Sequence, residues 1–371
     1  MDNEIRLFTV NMPPEVDRPL LETLHSGYIT EGPKVKEFEA KLGKLIDNPF
    51  VAALNSGTSA LTLALKLANV GPGDEVITTA MTCSATNLPI LQFGATPVWA
   101  DIHPENGLIN PESITTLITE KTKAIMCVDW GGLPCDIESI MAIAKAKGIK
   151  VIEDAAHSLG SSIGGWPIGS LADFTCFSFQ AIKHITTVDG GAIACLNEDD
   201  YKRAKRLRWF GIDREAQAKD TRIDLDIEEA GYKFHMNDVA ATIGLVQLDS
   251  LSDVLERRNH IAMRYDMELS DKFTKPRLRG ATSSYWLYTI VLNNQPDTTA
   301  LKEHLALYGI QSSKVHRRND EYTVFKGYSK SHFYRGLSYF YDHMLCIPLH
   351  QDMSNDDVTR VIEACNSFIG S

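Results

Sequence analysis

Seven short apolar runs punctuate the first two-thirds of the chain: VAALNS (51–56), EVITTA (75–80), TPVWADI (96–102), AIMCVDW (124–130), KVIEDAA (150–156), FTCFSFQ (174–180) and GGAIACL (190–196). Several are apolar throughout rather than alternating, the pattern of parallel strands covered on both faces. Helical patterns lie between them. SALTLALKLANVG has leucine at 61, 63, 65 and 67 and Gly71 beyond its end, and DIESIMAIAKAKG opens on Asp136 as an N-cap and stops at Gly148. Strand–helix–strand repetition predicts a mostly parallel α/β sheet with right-handed crossovers.

After about residue 240 the pattern changes. NDVAATIGLVQLDSLSDVLERRNHIAMRYDMEL reads as a long, broken helical stretch, SSYWLYTIVL (283–292) as a strand, and TALKEHLALYG as a helix. The expected division is a large α/β domain over residues 1–245, including the N-terminal segment, and a smaller α+β domain over 246–371.

Composition narrows the function class. The 371 residues are 44% hydrophobic and 23% charged, with a net charge of -11, which disfavours a nucleic-acid partner. No run of about 18 apolar residues predicts a membrane span. The start, MDNEIRLFTVNMPPEV, is acidic and lacks the apolar core of a signal peptide, so a cytoplasmic location is expected. Seven scattered cysteines without a CxxC pair predict reduced thiols, with neither a zinc site nor a disulfide framework.

Three stretches carry candidate chemistry. In NSGTSALTLALKL a strand ends at Asn55 and a helix begins, so Gly57, Thr58 and Ser59 either form an anion cradle or merely cap the helix. In VIEDAAHSLG, Asp154 ends an apolar strand, where it either faces a ligand crevice or caps the next helix, with His157 three positions on. In CFSFQAIKHITTVDGG, Ser178 ends a strand and Lys183 follows five positions later, flanked by Ile182. That lysine is either an ordinary surface charge or a desolvated nucleophilic amine. Taken together and in this order, the three match the needs of pyridoxal 5'-phosphate (PLP): a helix N-terminus for the phosphate, a carboxylate for the ring nitrogen, and a lysine for the aldehyde.

At this point the chain resembles the sugar aminotransferase family called DegT/DnrJ/EryC1/StrS, a branch of the fold-type I PLP-dependent enzymes. SGYITEGPKVKEFEAKL (26–42), NSGTSAL, GPGDEVITTAMTCSATNLPI, EDAAHSLG, FSFQAIKHITTVDGG and LCIPLHQDMSNDDVTRVI (345–362) follow in family order. The resemblance implies a Schiff base on Lys183, pairing of Asp154 with the pyridine nitrogen, and His157 near the ring. It implies phosphate contacts from Gly57, Thr58 and Ser178, helped by Ser59. Thr30 and His316 would face substrate. It further implies a homodimer whose shared active site receives the GYKFHMND segment (231–238) from the partner.

Two departures from the family pattern stand out. Cys83 replaces an aromatic residue that stacks on the PLP ring, and Lys233 replaces an asparagine that contacts the phosphate. His184 mimics the histidine of family members that dehydrate sugars, but the spacing from Ser178 assigns the Schiff base to Lys183. The implied activity moves an amino group from an amino acid, expected to be L-glutamate, to a keto or aldehyde sugar, nucleotide-linked in most relatives, for lipopolysaccharide, other surface polysaccharide or related amino-sugar synthesis. A non-nucleotide acidic sugar such as an oxidised 3-deoxy-octulosonate aldehyde, a sugar 3-dehydratase, and a non-catalytic PLP-binding regulator are the alternatives.

Overall fold

The computed structural model describes residues 4–216, 223–293, 297–328 and 334–369. Along the chain run α1 (Asp17–Leu24), α2 (Pro33–Leu45), β1 (Val51–Leu54), α3 (Gly57–Leu67), β2 (Glu75–Thr79), α4 (Ser84–Gln92), β3 (Thr96–Ala100), α5 (Pro111–Leu117), β4 (Thr122–Val128), α6 (Ile137–Lys147) and β5 (Lys150–Asp154). Two short strands, β6 (Ser162–Ile163) and β7 (Trp166–Pro167), precede β8 (Phe174–Ser178), β9 (Gly191–Cys195) and α7 (Glu198–Leu207). Then come α8 (Asp238–Asp249), α9 (Leu251–Glu268), β10 (Phe273–Thr274), β11 (Ala281–Thr282), β12 (Tyr288–Leu292), α10 (Thr298–Leu307), α11 (Arg335–His343), β13 (Met344–Ile347) and α12 (Asn355–Ser367).

Among the described residues the strands form three sheets. The main one has the order β1-β9-β8-β5-β4-β2-β3. Its neighbours pair parallel except on either side of β9, which runs against both β1 and β8. These are the seven apolar runs of the sequence. Their side chains alternate between two cores, which is why they read as apolar throughout. Val51, Ile77, Ile125, Val151 and Phe177 join one core with Phe38 of α2, Ile140 of α6 and Leu245 of α8. Ala52, Val76, Met126, Ile152 and Ile193 join the other with Leu61 of α3 and Leu207 of α7. The architecture is the expected mostly parallel α/β sheet with helices on both faces.

A second sheet, β10-β12-β13, packs with α9, α10 and α12 around a separate core that contains Tyr265, Ile290, Leu301 and Val361. Ile5 belongs to this core too, because its backbone pairs with Gly309 and Gln311 at 2.8 and 2.9 Å. The predicted broken helix is α8 and α9, interrupted at Ser250; residue 245 falls inside α8. The predicted strand over 283–292 is a strand only from Tyr288. Residues 283–287 differ because Tyr285 takes a positive φ of 50° and the Arg258 guanidinium draws in the carbonyls of Tyr285 and Trp286 at 3.0 and 3.3 Å.

The capping expected at Asp136 is present: its carboxylate accepts from the Ser139 amide at 3.2 Å, and Gly148 ends α6 in the left-handed region at φ 67°. One carboxylate does more. Asp238, buried at the start of α8, accepts from the backbone amides of Gly32, Lys34 and Val35 at 2.8, 3.2 and 3.0 Å. It thereby satisfies the N-terminus of α2 from 200 residues away along the chain and locks α2 to α8. Asp238→Ala leaves those amides without an acceptor, so it should cost roughly 3–5 kcal/mol of stability. Urea denaturation of the two proteins measures the difference.

Candidate active site

The carboxyl ends of β1, β5 and β8 lie on one edge of the main sheet, the edge where open α/β sheets bind ligands. Here the sequence-predicted residues meet. Beyond β1 the chain turns at once into α3. The Ser56 hydroxyl accepts from the Ser59 amide at 3.0 Å, and the amides of Gly57 and Thr58 have no intrahelical acceptor. Gly57 is required by proximity: a Cβ there would stand 2.8 Å from the Ser178 Cβ. Gly191 fits the same turn from β9, where a Cβ would stand 2.4 Å from the Ser56 carbonyl. The result is a glycine-lined, hydroxyl-bearing helix N-terminus open to an anion. Thr58 is exposed. The Ser59 hydroxyl is turned inward, donating to the Asn55 side chain at 2.6 Å and pairing with Ser56 at 2.9 Å.

Asp154 ends β5 and is buried. Its Oδ2 accepts from the Thr86 hydroxyl at 2.7 Å and its Oδ1 from the Ala156 amide at 3.1 Å. Burial raises its pKa, against the opposing pull of Thr86, the Ala156 amide and Lys183. Lys183, in the loop after β8, lies near enough to feel the charges of Asp154 and of Cys83. Desolvation lowers its pKa from the ordinary 10.5 to about 7. Its Nζ sits 3.6 Å from the centroid of the Trp286 ring.

His157 stacks on Trp286 at 3.8 Å between centroids, and lies nearly parallel to His316 at 6.0 Å. Its Nδ1 accepts from the Gly131 amide at 3.4 Å. Burial first, then the charge of Lys183, holds His157 neutral, its pKa well below the usual range. The same two causes lower His316 to about 4, and its buried Nε2 has no hydrogen-bond partner in the structure. His316 Nε2 is thus a buried polar atom that no other group of the chain satisfies. Cys83 occupies the N-cap position of α4 and is half-buried, whereas the other six cysteines are buried.

Two predicted residues stand outside this cluster. Thr30 is exposed, and its carbonyl accepts from the Asp238 amide at 2.6 Å. Lys233 is exposed, and its carbonyl accepts from the Asn55 side chain at 3.4 Å. His184 is buried and its Nε2 bonds the Ser284 carbonyl at 2.9 Å, which gives that ring a structural task.

Sequence reasoning missed Trp286, Thr86 and Asp129. Trp286 donates from Nε1 to the Ile182 carbonyl at 2.8 Å and so fixes the loop that carries Lys183. Thr86 takes its place in a hydroxyl relay, paired with Thr82 at 2.7 Å. Asp129, fully buried, accepts from the Ser158 hydroxyl at 2.6 Å and the Cys135 amide at 2.8 Å, and steadies the turn bearing His157. Burial raises its pKa to about 7. A tryptophan within an apolar run gives no sign of this role. The SATN stretch holding Thr86 was visible only as part of a longer motif.

The residues fit PLP. A Cβ-free cradle accepts a phosphate, a buried carboxylate can hold a ring nitrogen's proton, and an uncharged amine can attack an aldehyde. Among the described residues no three His, Cys, Asp or Glu side chains converge as a metal site, and no helix is long and apolar enough to cross a membrane. Fold and site together define a fold-type I PLP-dependent enzyme.

Residues 12–366 match the DegT/DnrJ/EryC1/StrS aminotransferase family, and the chain belongs to that family. It is 36% identical over 368 residues to the spore coat polysaccharide biosynthesis protein SpsC of Bacillus subtilis (strain 168), covering 94% of this chain and 92% of SpsC. Its structure matches the sugar aminotransferase CalS13 from Micromonospora echinospora with a TM-score of 0.92 at 32% identity, over 98% of this chain and 99% of that one. It also matches Spr1654 from Streptococcus pneumoniae, described as a sugar aminotransferase and solved in PMP and PLP forms. The TM-score to the PMP form is 0.91 at 32% identity over 98% of each chain. The PLP form gives 0.90 at 31% identity. The protein is a PLP-dependent aminotransferase.

A Lys183 pKa near 7 has a kinetic consequence. Only the free amine attacks an aldehyde, so the rate at which cofactor-free protein recaptures PLP should rise with pH through about 7 and level off above it. Stopped-flow absorbance across pH 5.5–9.5, flanking that value by roughly two units, measures this. A midpoint near 10 would contradict the desolvated amine.

Proposed function

We propose that this enzyme moves an amino group from an amino acid, L-glutamate, to a keto or aldehyde sugar linked to a nucleotide, in the cytoplasm, for a surface polysaccharide or lipopolysaccharide. The observation that carries the reading is the Lys183 amine resting on Trp286, its pKa lowered to about 7 by desolvation, with the buried Asp154 carboxylate nearby and beside the Gly57–Ser178 cradle. The kinship with SpsC, a spore coat polysaccharide biosynthesis protein, and with the sugar aminotransferase CalS13 supports a sugar acceptor.

When bound, PLP supplies an aldehyde that condenses with amines and a ring that takes up the electron pair of a broken C–H bond. The Gly57 and Thr58 amides and the Ser178 hydroxyl hold its phosphate, with the exposed Lys233 ammonium as a further cation and Ser59 bracing the turn from within. Asp154 keeps the ring nitrogen protonated. Lys183 Nζ would serve as the base that takes the proton from the amino acid's α-carbon and as the acid that gives it back. The same groups act in reverse on the sugar carbonyl, which gives ping-pong kinetics. His157 presents a neutral ring fixed by Trp286. His316, with its unpartnered Nε2, binds substrate from the opposite side, and Cys83 leaves open the room an aromatic ring would fill.

The Thr30 and Lys233 roles rest on a homodimer. Tyr28, Ile29 and Phe210 expose large apolar surfaces near these residues, as a partner subunit would require. Arg317 and Arg318, the basic residues that hinted at an acidic substrate, are paired with Glu321 and Asp320. Dehydration is disfavoured because a lysine is retained for the proton transfer and His184 is tied to Ser284.

Borohydride reduction followed by peptide mapping should place the cofactor adduct on Lys183, and Lys183→Ala should lower turnover at least about a thousand-fold. With a sugar acceptor, glutamate consumption should match amine gained without ammonia release. An adduct on another residue, or stoichiometric ammonia, refutes the assignment.

A further inference from the structure

β1 is the edge strand of the main sheet, with β9 as its only neighbour in the strand order. It also leads directly into the Asn55–Thr58 turn. An edge strand has one row of backbone groups without a sheet partner. Here that outer row is closed by an ion cluster together with the backbone of residues 234–236, where His235 bridges Leu54 and the Met236 amide donates to the Ala53 carbonyl at 3.4 Å. The Ala53 amide donates to Glu39 Oε1 at 2.8 Å, and the Ala53 carbonyl accepts from Arg208 Nη1 at 3.0 Å. Arg208 also pairs with Glu39 directly and with Glu31 Oε1 at 2.7 Å. Its side chain is only 3% exposed.

The backbone of Arg208 extends the closure. Its carbonyl accepts from the Phe234 amide at 2.9 Å, and the Phe234 carbonyl accepts from the Asn55 amide at 2.7 Å. Arg208 therefore grips β1 twice, through its side chain at Ala53 and through Phe234 at Asn55. These are the last outward-facing groups before the free amides of the turn. On the inner side Gly191 already leaves no spare space against Ser56.

We propose that Arg208, clamped by Glu39 and Glu31, is a positioning residue that holds the β1–α3 turn in the orientation that binds the cofactor phosphate. This rests on the PLP reading given above. The inference is specific to the phosphate because the other expected cofactor contacts come from elsewhere. Asp154 ends β5, and Lys183 follows β8. A shift of β1 redirects the turn's amides and leaves the carboxylate and the lysine in place. Helix-terminal amides bind an anion only when they converge on it, so a small rotation forfeits the contact.

The test compares two ligands on full-length protein freed of cofactor: PLP, and pyridoxal, which has the aldehyde and ring but no phosphate. Dissociation constants are measured by absorbance titration for the native protein, Arg208→Met, Arg208→Lys and Glu39→Gln. In Arg208→Met the preference for PLP over pyridoxal should fall about tenfold, the worth of one well-aimed hydrogen bond to a charged group, while pyridoxal affinity stays within about twofold. Arg208→Lys keeps the charge without the fork and should fall in between. Glu39→Gln should reduce the preference about threefold. If Arg208→Met does not fold, the Lys and Gln variants decide. An unchanged preference in these variants, or equal weakening of both ligands, overturns the proposal and leaves a purely structural arginine. Failure of the native protein to take up either ligand would instead refute the PLP reading itself.

Discussion

An amine whose pKa is brought down to about 7 must be shielded from water, and this requirement organises the site. The loop between β8 and β9 cannot exclude solvent by itself. The wall against which Lys183 rests is Trp286, from the far side of the chain, held in turn by the Arg258 guanidinium through its carbonyl and by the Ile182 carbonyl through its indole N–H. His157 fills the adjoining face. Burying a lysine costs free energy unless it gives up its proton, and giving up the proton is what its chemistry needs. Trp286 and its neighbours thus desolvate the nitrogen by packing against it, which lowers the Lys183 pKa.

The main sheet was legible because its strands are buried on both faces, and a run of unbroken apolar residues records that fact locally. Asp154, Ser178 and Lys183 each stand at a fixed offset from such a run, which located them on the sheet while their roles came from the family resemblance. What stayed hidden depends on partners remote in sequence. Trp286 meets Ile182 across 104 positions, and Arg208 meets Glu39 across 169. Nothing in the stretch RLRWFG distinguishes a buried guanidinium from a solvated one. Ser59 illustrates how local acceptors direct a hydroxyl. Its residue type suggested a phosphate donor, but a serine one turn into a helix has nearer acceptors, and the Asn55 side chain takes its proton. The stretch 283–287 had strand composition, yet an arginine competing for its carbonyls withdrew them from any sheet.

A second network ties the two halves together across the mouth of the site. Asn319 donates to the Thr82 carbonyl at 2.7 Å and accepts from the Asn87 side chain at 2.9 Å, three residues beyond His316. Thr82 and Thr86 pass the linkage on to Asp154. All of these groups are buried, and each hydrogen bond therefore counts at low dielectric. The segment that carries His316 and the environment of the Asp154 carboxylate are consequently set by the same few bonds.

Electrostatics then dictates which way round a ligand can lie. Asp129, Glu153 and Asp154 crowd the ends of β4 and β5. Burial raises all three pKa values, and one Glu153 oxygen has no partner. The α3 N-terminus, on the other side of β8, presents unpaired amides and the positive end of a helix dipole. Lys183 follows β8, the strand between these two poles. A molecule with an anionic group at one end, a protonated nitrogen at the other and a carbonyl between relieves both poles at once in a single orientation. Turned around, it would set its cation against a helix N-terminus and its anion against the Asp154 carboxyl. The charge pattern thus favours one orientation for a ligand of this kind, with its carbonyl toward the loop that carries Lys183.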